Sequence, residues 1–353
     1  MSRLNSAADY QALIHHRGGG QVYTAVDQIT SVSWERRLDD ISTCAITAAK
    51  RGADPGCCSR VAYAEPWAHE VSVYRDGALV WQGPLITATE SRTSFTLAAS
   101  DVLAWTQKRV NHDAYNWENA PVDVGAATEH LIRDAYNQDD PGVLDWAVYA
   151  RTGTTTGRKA EAGTKVVWDE LSDLARYGVD LTTVGRRIVC YAEQQDVPST
   201  RGRMVLGEDA FLAELDVSRD GTALATAAVA VGQGVIGRAG GLVPPYGLVT
   251  AVSDNQQVTN QSTATRIARQ IVAAGAIPPT VIVVPDQARL APDAPVSIGQ
   301  LVCGRRFDLA VSSSYRPVWQ PMRLSRLTAA WTATSGSESV QVSFLPLTDA
   351  GDA

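Results

Sequence analysis

No stretch of this chain is apolar for long enough to span a bilayer, and the opening MSRLNSAADYQ lacks the apolar centre of a secretion signal. Tracts of one charge are missing as well. The formal net charge is −7, and Arg36-Arg37, Arg186-Arg187 and Arg305-Arg306 each stand in strand-like surroundings without growing into a basic run. Phosphate contacts need clustered Lys and Arg, so this balance argues against a nucleic-acid binder. Cysteine is scarce. Five in 353 residues, an odd number, do not make a disulfide framework and suit synthesis in a reducing cytoplasm with free thiols. No G-x-S-x-G element occurs. What the chain does have is 45% hydrophobic against 20% charged residues, enough for real cores, and a length that suits two or three domains.

The chain is organised around residues 67–110. Val71 and Val73 alternate with polar neighbours, Arg75-Asp76-Gly77 turns the chain, and Leu79 and Trp81 resume the alternation. Alternation about Asp-Gly predicts a hairpin, because glycine takes the positive-φ position of a primed turn. Gly83-Pro84 predicts a break. Residues 85–89 and 94–99 then read as a second strand pair, and residues 101–110 as a short helical or bent segment carrying Leu103 and Trp105. Nothing in this meander is reactive, which suits a scaffold for assembly.

Upstream, residues 1–21 with Gly18-Gly19-Gly20 read as a mobile arm or connector, and residues 21–26, 30–37 and 43–48 as strands. Six or so short strands before residue 110 predict a small barrel or sandwich. Residues 121–136 form an amphipathic helix with Val124, Ala127, Leu131 and Ala135 on one stripe, and residues 165–177 a second with Val167, Leu171 and Leu174. A hairpin about Gly185-Arg186 follows. Residues 211–218 and 224–231 flank another Asp-Gly turn at Asp220-Gly221, residues 232–247 read as loop, and residues 262–274 as a third helix capped by Ser262 or Thr263 and stopped before Pro278-Pro279. Residues 281–284, 300–303, 307–311, 322–333 and 339–345 complete the strands.

Each candidate for chemistry has a plainer explanation. Gly232, Gly234 and Gly237 match G-x-G-x-x-G after a strand, but a dinucleotide site needs a helix opening at the third glycine, and Gly240-Gly241 and Pro244-Pro245 forbid one. Cys57-Cys58 with Cys44 and His69 has the wrong spacing for zinc. Adjacent cysteines in a strand would face opposite ways, leaving one thiol packed in the core. His69-Glu70 lacks a second histidine. Asp139-Asp140 and Asp169-Glu170 read as solvated carboxylates. Among the nine tryptophans, Trp34, Trp81, Trp105 and Trp331 sit where strands bury their apolar side. No catalytic, cofactor-binding or metal-ligating residue is assigned.

The runs Ser33-Trp34-Glu35-Arg36-Arg37-Leu38-Asp39-Asp40, Cys57-Cys58, His69 to Gly77, Val80-Trp81-Gln82-Gly83-Pro84 and Ala99 to Trp105 resemble the opening domain of minor tail proteins from actinobacterial siphophages. These are similar to the tail-tip and baseplate hub proteins of phages and type VI secretion spikes. The resemblance covers about the first 110 residues; beyond them only the order of elements agrees. It implies a mainly β fold with α+β parts, built from two small β-barrels, an α+β domain and a helical insertion. The boundaries would be residues 1–112 for the first barrel, 113–203 for the α+β domain, 204–235 and 280–350 for the second barrel, and 236–279 for the insertion. It also implies a homotrimeric ring that joins a hexameric tail tube to the distal spike or fibres in the virion, with the distal tail or tube ring and the tape measure protein as neighbours. No enzyme activity, cofactor or membrane span goes with that reading. A wall-degrading virion enzyme and a glycan-binding receptor module using exposed Trp and Tyr are the rival readings.

Overall fold

The computed structural model describes residues 4, 8–144, 147–176, 178–192, 204–254, 260–276, 278 and 280–347. Strands dominate. The first seven are β1 (Tyr10–His16), β2 (Val22–Val26), β3 (Ile29–Arg37), β4 (Thr43–Ala49), β5 (His69–Arg75), β6 (Ala78–Glu90) and β7 (Ser94–Ser100). The segment expected to be an arm therefore supplies β1, whose Tyr10, Ala12 and Ile14 are buried while the strand pairs with both β2 and β5.

The hairpin at Asp76-Gly77 forms as its chemistry requires. Both residues have positive φ, 50° and 76°, and Arg75 faces Ala78 across the turn. The break expected at Gly83-Pro84 does not occur, because β6 runs on to Glu90. Up to Pro84 it pairs with β5, and from Leu85 it pairs with β7. The missing proline N–H falls where the strand changes partner, so little of either ladder is lost. Gly83 is needed beside it: a Cβ there would lie 1.9 Å from the Ser100 carbonyl oxygen.

Cys57-Cys58 lies in a helix rather than a strand. Helix α1 (Pro55–Ala62) starts at Asp54, whose carboxylate accepts from the Cys57 amide, with proline in the first turn. After β7, a 3-10 segment Val102–Lys108 buries Leu103 and Trp105. Helices α2 (Val124–Tyr136) and α3 (Val167–Ala175) and the hairpin β8 (Val179–Val184) and β9 (Arg187–Ala192) follow, with a two-residue turn at Gly185-Arg186. Val124, Ala127, Leu131, Ala135, Val167, Leu171 and Leu174 are all buried in one core with Leu103 and Trp105. The last residue expected in the second helix, Tyr177, and the boundary at residue 203 lie outside the described residues.

The later strands are β10 (Met204–Gly207), β11 (Asp216–Arg219), β12 (Ala227–Val231), β13 (Ile236–Gly240), β14 (Thr250–Asp254), β15 (Thr280–Val283), β16 (Arg306–Val311), β17 (Val318–Thr332) and β18 (Glu338–Pro346), with helix α4 (Gln261–Gly275) between β14 and β15. One sheet follows the order β10-β16-β17-β3-β4-β7-β6-β5-β1-β2, with β18 also on β17. Along the β3 ladder, Ser31 faces Thr332 and Arg37 faces Arg326. The path has two ends, β10 and β2, so among the described residues it is not a closed barrel. Residues 300–303 are not a strand. Ser297 and Gln300 instead close a capping box around the 3-10 turn Ile298–Gln300.

The chain divides into two compact units. Unit 1 holds Met1–Glu214, Val284–Ala310 and Pro321–Ala353; unit 2 holds Leu215–Val283 and Val311–Gln320. Within unit 2, β12 is flanked by β13 (antiparallel) and β14 (parallel), and α4 buries Ala268 against Ala228 and Ala230. Asp220-Gly221 closes no hairpin, since β11 pairs with β15 instead of β12. The cap of α4 is Asn260, whose Oδ1 accepts from the Ser262 amide at 2.8 Å, two positions before Ser262, the earlier of the two caps the sequence suggests. Pro279 is outside the described residues.

Candidate functional site

The motif residues of the opening segment are spent on joining distant parts of unit 1. Trp34, 1% exposed, donates its indole Nε1–H to the Tyr10 hydroxyl at 3.3 Å. Tyr10 donates in turn to Glu338 Oε1 at 2.5 Å, and Arg75 grips both Glu338 oxygens at 2.8 Å. Burial and then the Glu338 charge push the Tyr10 phenol well above its ordinary range. Arg36 donates to the carbonyls of Val80 (2.7 Å) and Leu301 (3.2 Å). Glu35 accepts from Thr43 and Arg326 at 2.8 and 2.7 Å, and Arg323 holds both oxygens of Asp180 at 2.6 and 2.7 Å. A bidentate guanidinium–carboxylate pair fixes direction as well as distance, which suits positions where segments far apart in sequence must keep register.

The residues weighed for chemistry are dispersed among such partnerships. Cys57 is buried and donates its thiol to the Ala25 carbonyl at 3.0 Å, while Cys58 is partly exposed. His69 Nδ1 accepts from the Glu65 amide at 3.0 Å. Among the described residues, no group of three or more His, Cys, Asp and Glu is arranged to hold a metal ion. Asp139 pairs with Arg17 and Arg109, whose hydrogen bonds hold its carboxyl below the usual range, and Asp140 accepts from the Val143 amide. Glu170 accepts from the Tyr115 hydroxyl at 2.8 Å. Trp34, Trp81 and Trp105 are buried and Trp331 is half-buried.

The three glycines expected in a loop form a tight β12–β13 hairpin. Gly237, third of the pattern, sits under α4, where a Cβ would come within 2.1 Å of the Ala264 backbone. The glycine therefore serves helix-on-sheet packing against Ala264 of α4 (Gln261–Gly275), and no helix begins at Gly237.

Two of the buried carboxylates have partners that sequence reasoning did not foresee. Asp101 accepts from the amides of Ser42 (2.9 Å) and Leu103 (3.0 Å) and from the Thr183 hydroxyl (2.9 Å). Burial raises it to about 6 despite those donors. Glu70, fully buried, accepts from the Gly18 amide at 3.0 Å and from Arg186 Nη1. Burial raises Glu70 too, against the pull of Arg186. Beside it lies a cavity of about 620 Å³ lined by Gly18, Gly19, Gly20, Gln82, Gly142 and Arg186. A Cβ on Gly19 (φ 67°) would meet the Gln82 amide at 2.4 Å, so this one glycine of the tract is needed for close packing. The only hint in the sequence was that Gly18-Gly19-Gly20 precedes a strand.

No family model and no curated protein matches the sequence. In fold, the chain is similar to the 43 kDa tail protein of prophage MuSo2 from Shewanella oneidensis, at 13% identity and a TM-score of 0.55, over 95% of this chain and 98% of that one. It is similar to a tail protein from Neisseria meningitidis MC58 at 12% identity and a TM-score of 0.54, over 95% and 96%. A chain of the half-lidded Francisella PdpA-VgrG complex gives 7% and 0.53, over 98% of this chain but 59% of that one. The likeness is one of fold: this chain has, over nearly its whole length, the fold of phage tail proteins.

Proposed function

We propose that the protein is a structural, non-catalytic subunit of a phage tail tip. Three copies would form a ring that joins the hexameric tail tube to the distal spike or fibres and opens for the tape measure and genome. The observation that carries this is the end-to-end correspondence of fold with tail proteins. In this reading residues 1–112 and residues 204–235 with 280–350 supply two barrel-like modules, so that a trimer offers six to a sixfold partner. Residues 113–203 form the α+β part and residues 236–279 the insertion. The net charge of −7 suits a passage that DNA must cross without sticking. The resemblance of the opening motifs favours a siphophage of actinobacteria as the source.

Light scattering and particle imaging of the purified chain, alone and with tail-tube subunits, test the proposal. A threefold ring that caps the tube is expected. A stable monomer that does not associate with tube subunits overturns it, and so does turnover of cell-wall material by the isolated chain.

A further inference from the structure

Unit 2 contains a groove of about 750 Å³ whose walls include Val217, Arg219, Thr280, Tyr315, Arg316 and Trp319. Three independent features of this groove point the same way. The first is backbone. β11 and β15 form a two-stranded ladder in which Val217 faces Ile282 and Arg219 faces Thr280. The Ile282 amide donates to the Gln320 side chain at 2.6 Å, so it points away from β11 and the Val217–Ile282 pair is a non-hydrogen-bonded one. By the alternation of an antiparallel ladder, Val217 and Arg219 then turn their N–H and C=O groups away from β15, along the outer edge of β11. Gln320 covers the β15 edge. Among the described residues no strand covers the β11 edge. Two strands alone are a marginal sheet, and an open edge is a template for a third.

The second feature is charge. Arg219 donates Nε–H to Thr280 Oγ1 at 3.2 Å, and neither Arg219 nor Arg316 faces a carboxylate within ion-pair distance among the described residues. Two uncompensated guanidinium groups on one groove, in a chain of net charge −7, select an acidic partner. The third is exposed ring surface. Trp319 is 66% exposed and Tyr315 fully so. Of sixteen large apolar side chains exposed among the described residues, nine lie in unit 2, the smaller of the two units. Trp, Tyr and Arg together are the residue types that dominate protein–protein hot spots.

We infer that this groove binds an extended, acidic segment of another protein, added as a third strand along β11. The segment's carboxylates meet Arg219 and Arg316, and its apolar side chains lie against Trp319 and Tyr315. A saccharide could use the rings and guanidinium groups, but it has no use for a strand edge, so the edge decides between the two. This inference does not depend on the tail-tip reading.

The test uses the full chain and a synthetic decapeptide of alternating Val and Glu, with a Val/Gln peptide as control. Calorimetry should show the acidic peptide binding about tenfold or more tightly than the control, with the difference shrinking as salt is raised. The double variant Arg219→Gln/Arg316→Gln should lose that difference, and Trp319→Ala should weaken both peptides, with melting temperatures unchanged. Hydrogen exchange should slow at the Val217 and Arg219 amides when the peptide is bound. Equal binding of the two peptides, or acidic-peptide binding without that protection, overturns the inference. Binding of a hyaluronan tetrasaccharide in place of the peptide overturns it too.

Discussion

Arg75 and Glu338 stand 263 positions apart in the chain and meet through two hydrogen bonds of 2.8 Å, with both side chains essentially excluded from solvent. Arg75 closes the β5 hairpin, and Glu338 opens β18, so the pair ties the early strands to the last one. Glu338→Ala removes both of these hydrogen bonds from a buried guanidinium, which keeps its ion pair with Asp76. The expected loss is about 3–5 kcal/mol, the range for halving a buried pair. Glu338→Gln, which keeps a carbonyl oxygen for Tyr10 or Arg75, should lose less. Urea unfolding of the three proteins checks the order.

Asp101 predicts an inverted pH response. Its folded-state value of about 6 lies above the ordinary carboxylate value of 3.8, so between those two the native state holds the proton more tightly than the unfolded chain. Stability from this residue is therefore present at the acid end and declines as pH rises toward 6, by about 3 kcal/mol in all. Asp101→Asn removes that slope. It also turns an amide toward the Ser42 N–H and costs about 1–3 kcal/mol for the unmatched donor. Unfolding measured from pH 4 to 7 should show the wild-type and variant curves converging as pH rises.

Gly83→Ala should be among the costlier single methyl additions in the protein. The new Cβ would collide with the Ser100 carbonyl and the Asp101 backbone, neither of which is the free end of a side chain. A loss of about 1–3 kcal/mol is expected from such overpacking, read as a fall in melting temperature. Gly77→Ala, with open space around it but φ of 76°, should show only the smaller backbone penalty.

The five thiols should differ sharply in reactivity. Burial pushes Cys190 and Cys303 up to about 12 and Cys44 higher still, and Cys57 is also buried. The thiolate is the reactive form, so only the partly exposed Cys58 should alkylate readily in the native protein. Iodoacetamide labelling followed by peptide mass spectrometry checks this, and a second readily labelled site would contradict the burial described for the other four.

Legibility followed distance along the chain. The Asp76-Gly77 hairpin and the stripes of α2 and α3 could be read because their causes are local. Asp54-Pro55, an N-cap followed by proline, was a readable start signal for α1 that the strand reading of Cys57-Cys58 passed over. Pro84 misled because its effect depends on β6 changing partner, which no window of β6 contains. Glu338 is flanked by serines, and nothing beside it announces Arg75. Gly237 shows the same limit: its need for space comes from Ala264, on a helix whose approach the glycine pattern cannot foretell.

The ladder between β3 and β17 has a consequence for how the chain is made. Ribosomes deliver β3 early, yet its second edge stays without a partner until Thr332 has emerged. Until then the growing polypeptide displays a ready strand template, the kind of surface chaperones shield. A product cut short before residue 326 would keep every hairpin of its first hundred residues and still lack the strand that completes them. Translation to the far end thus works as a proofreading step, and truncated copies should be cleared or aggregate before they can enter an assembly.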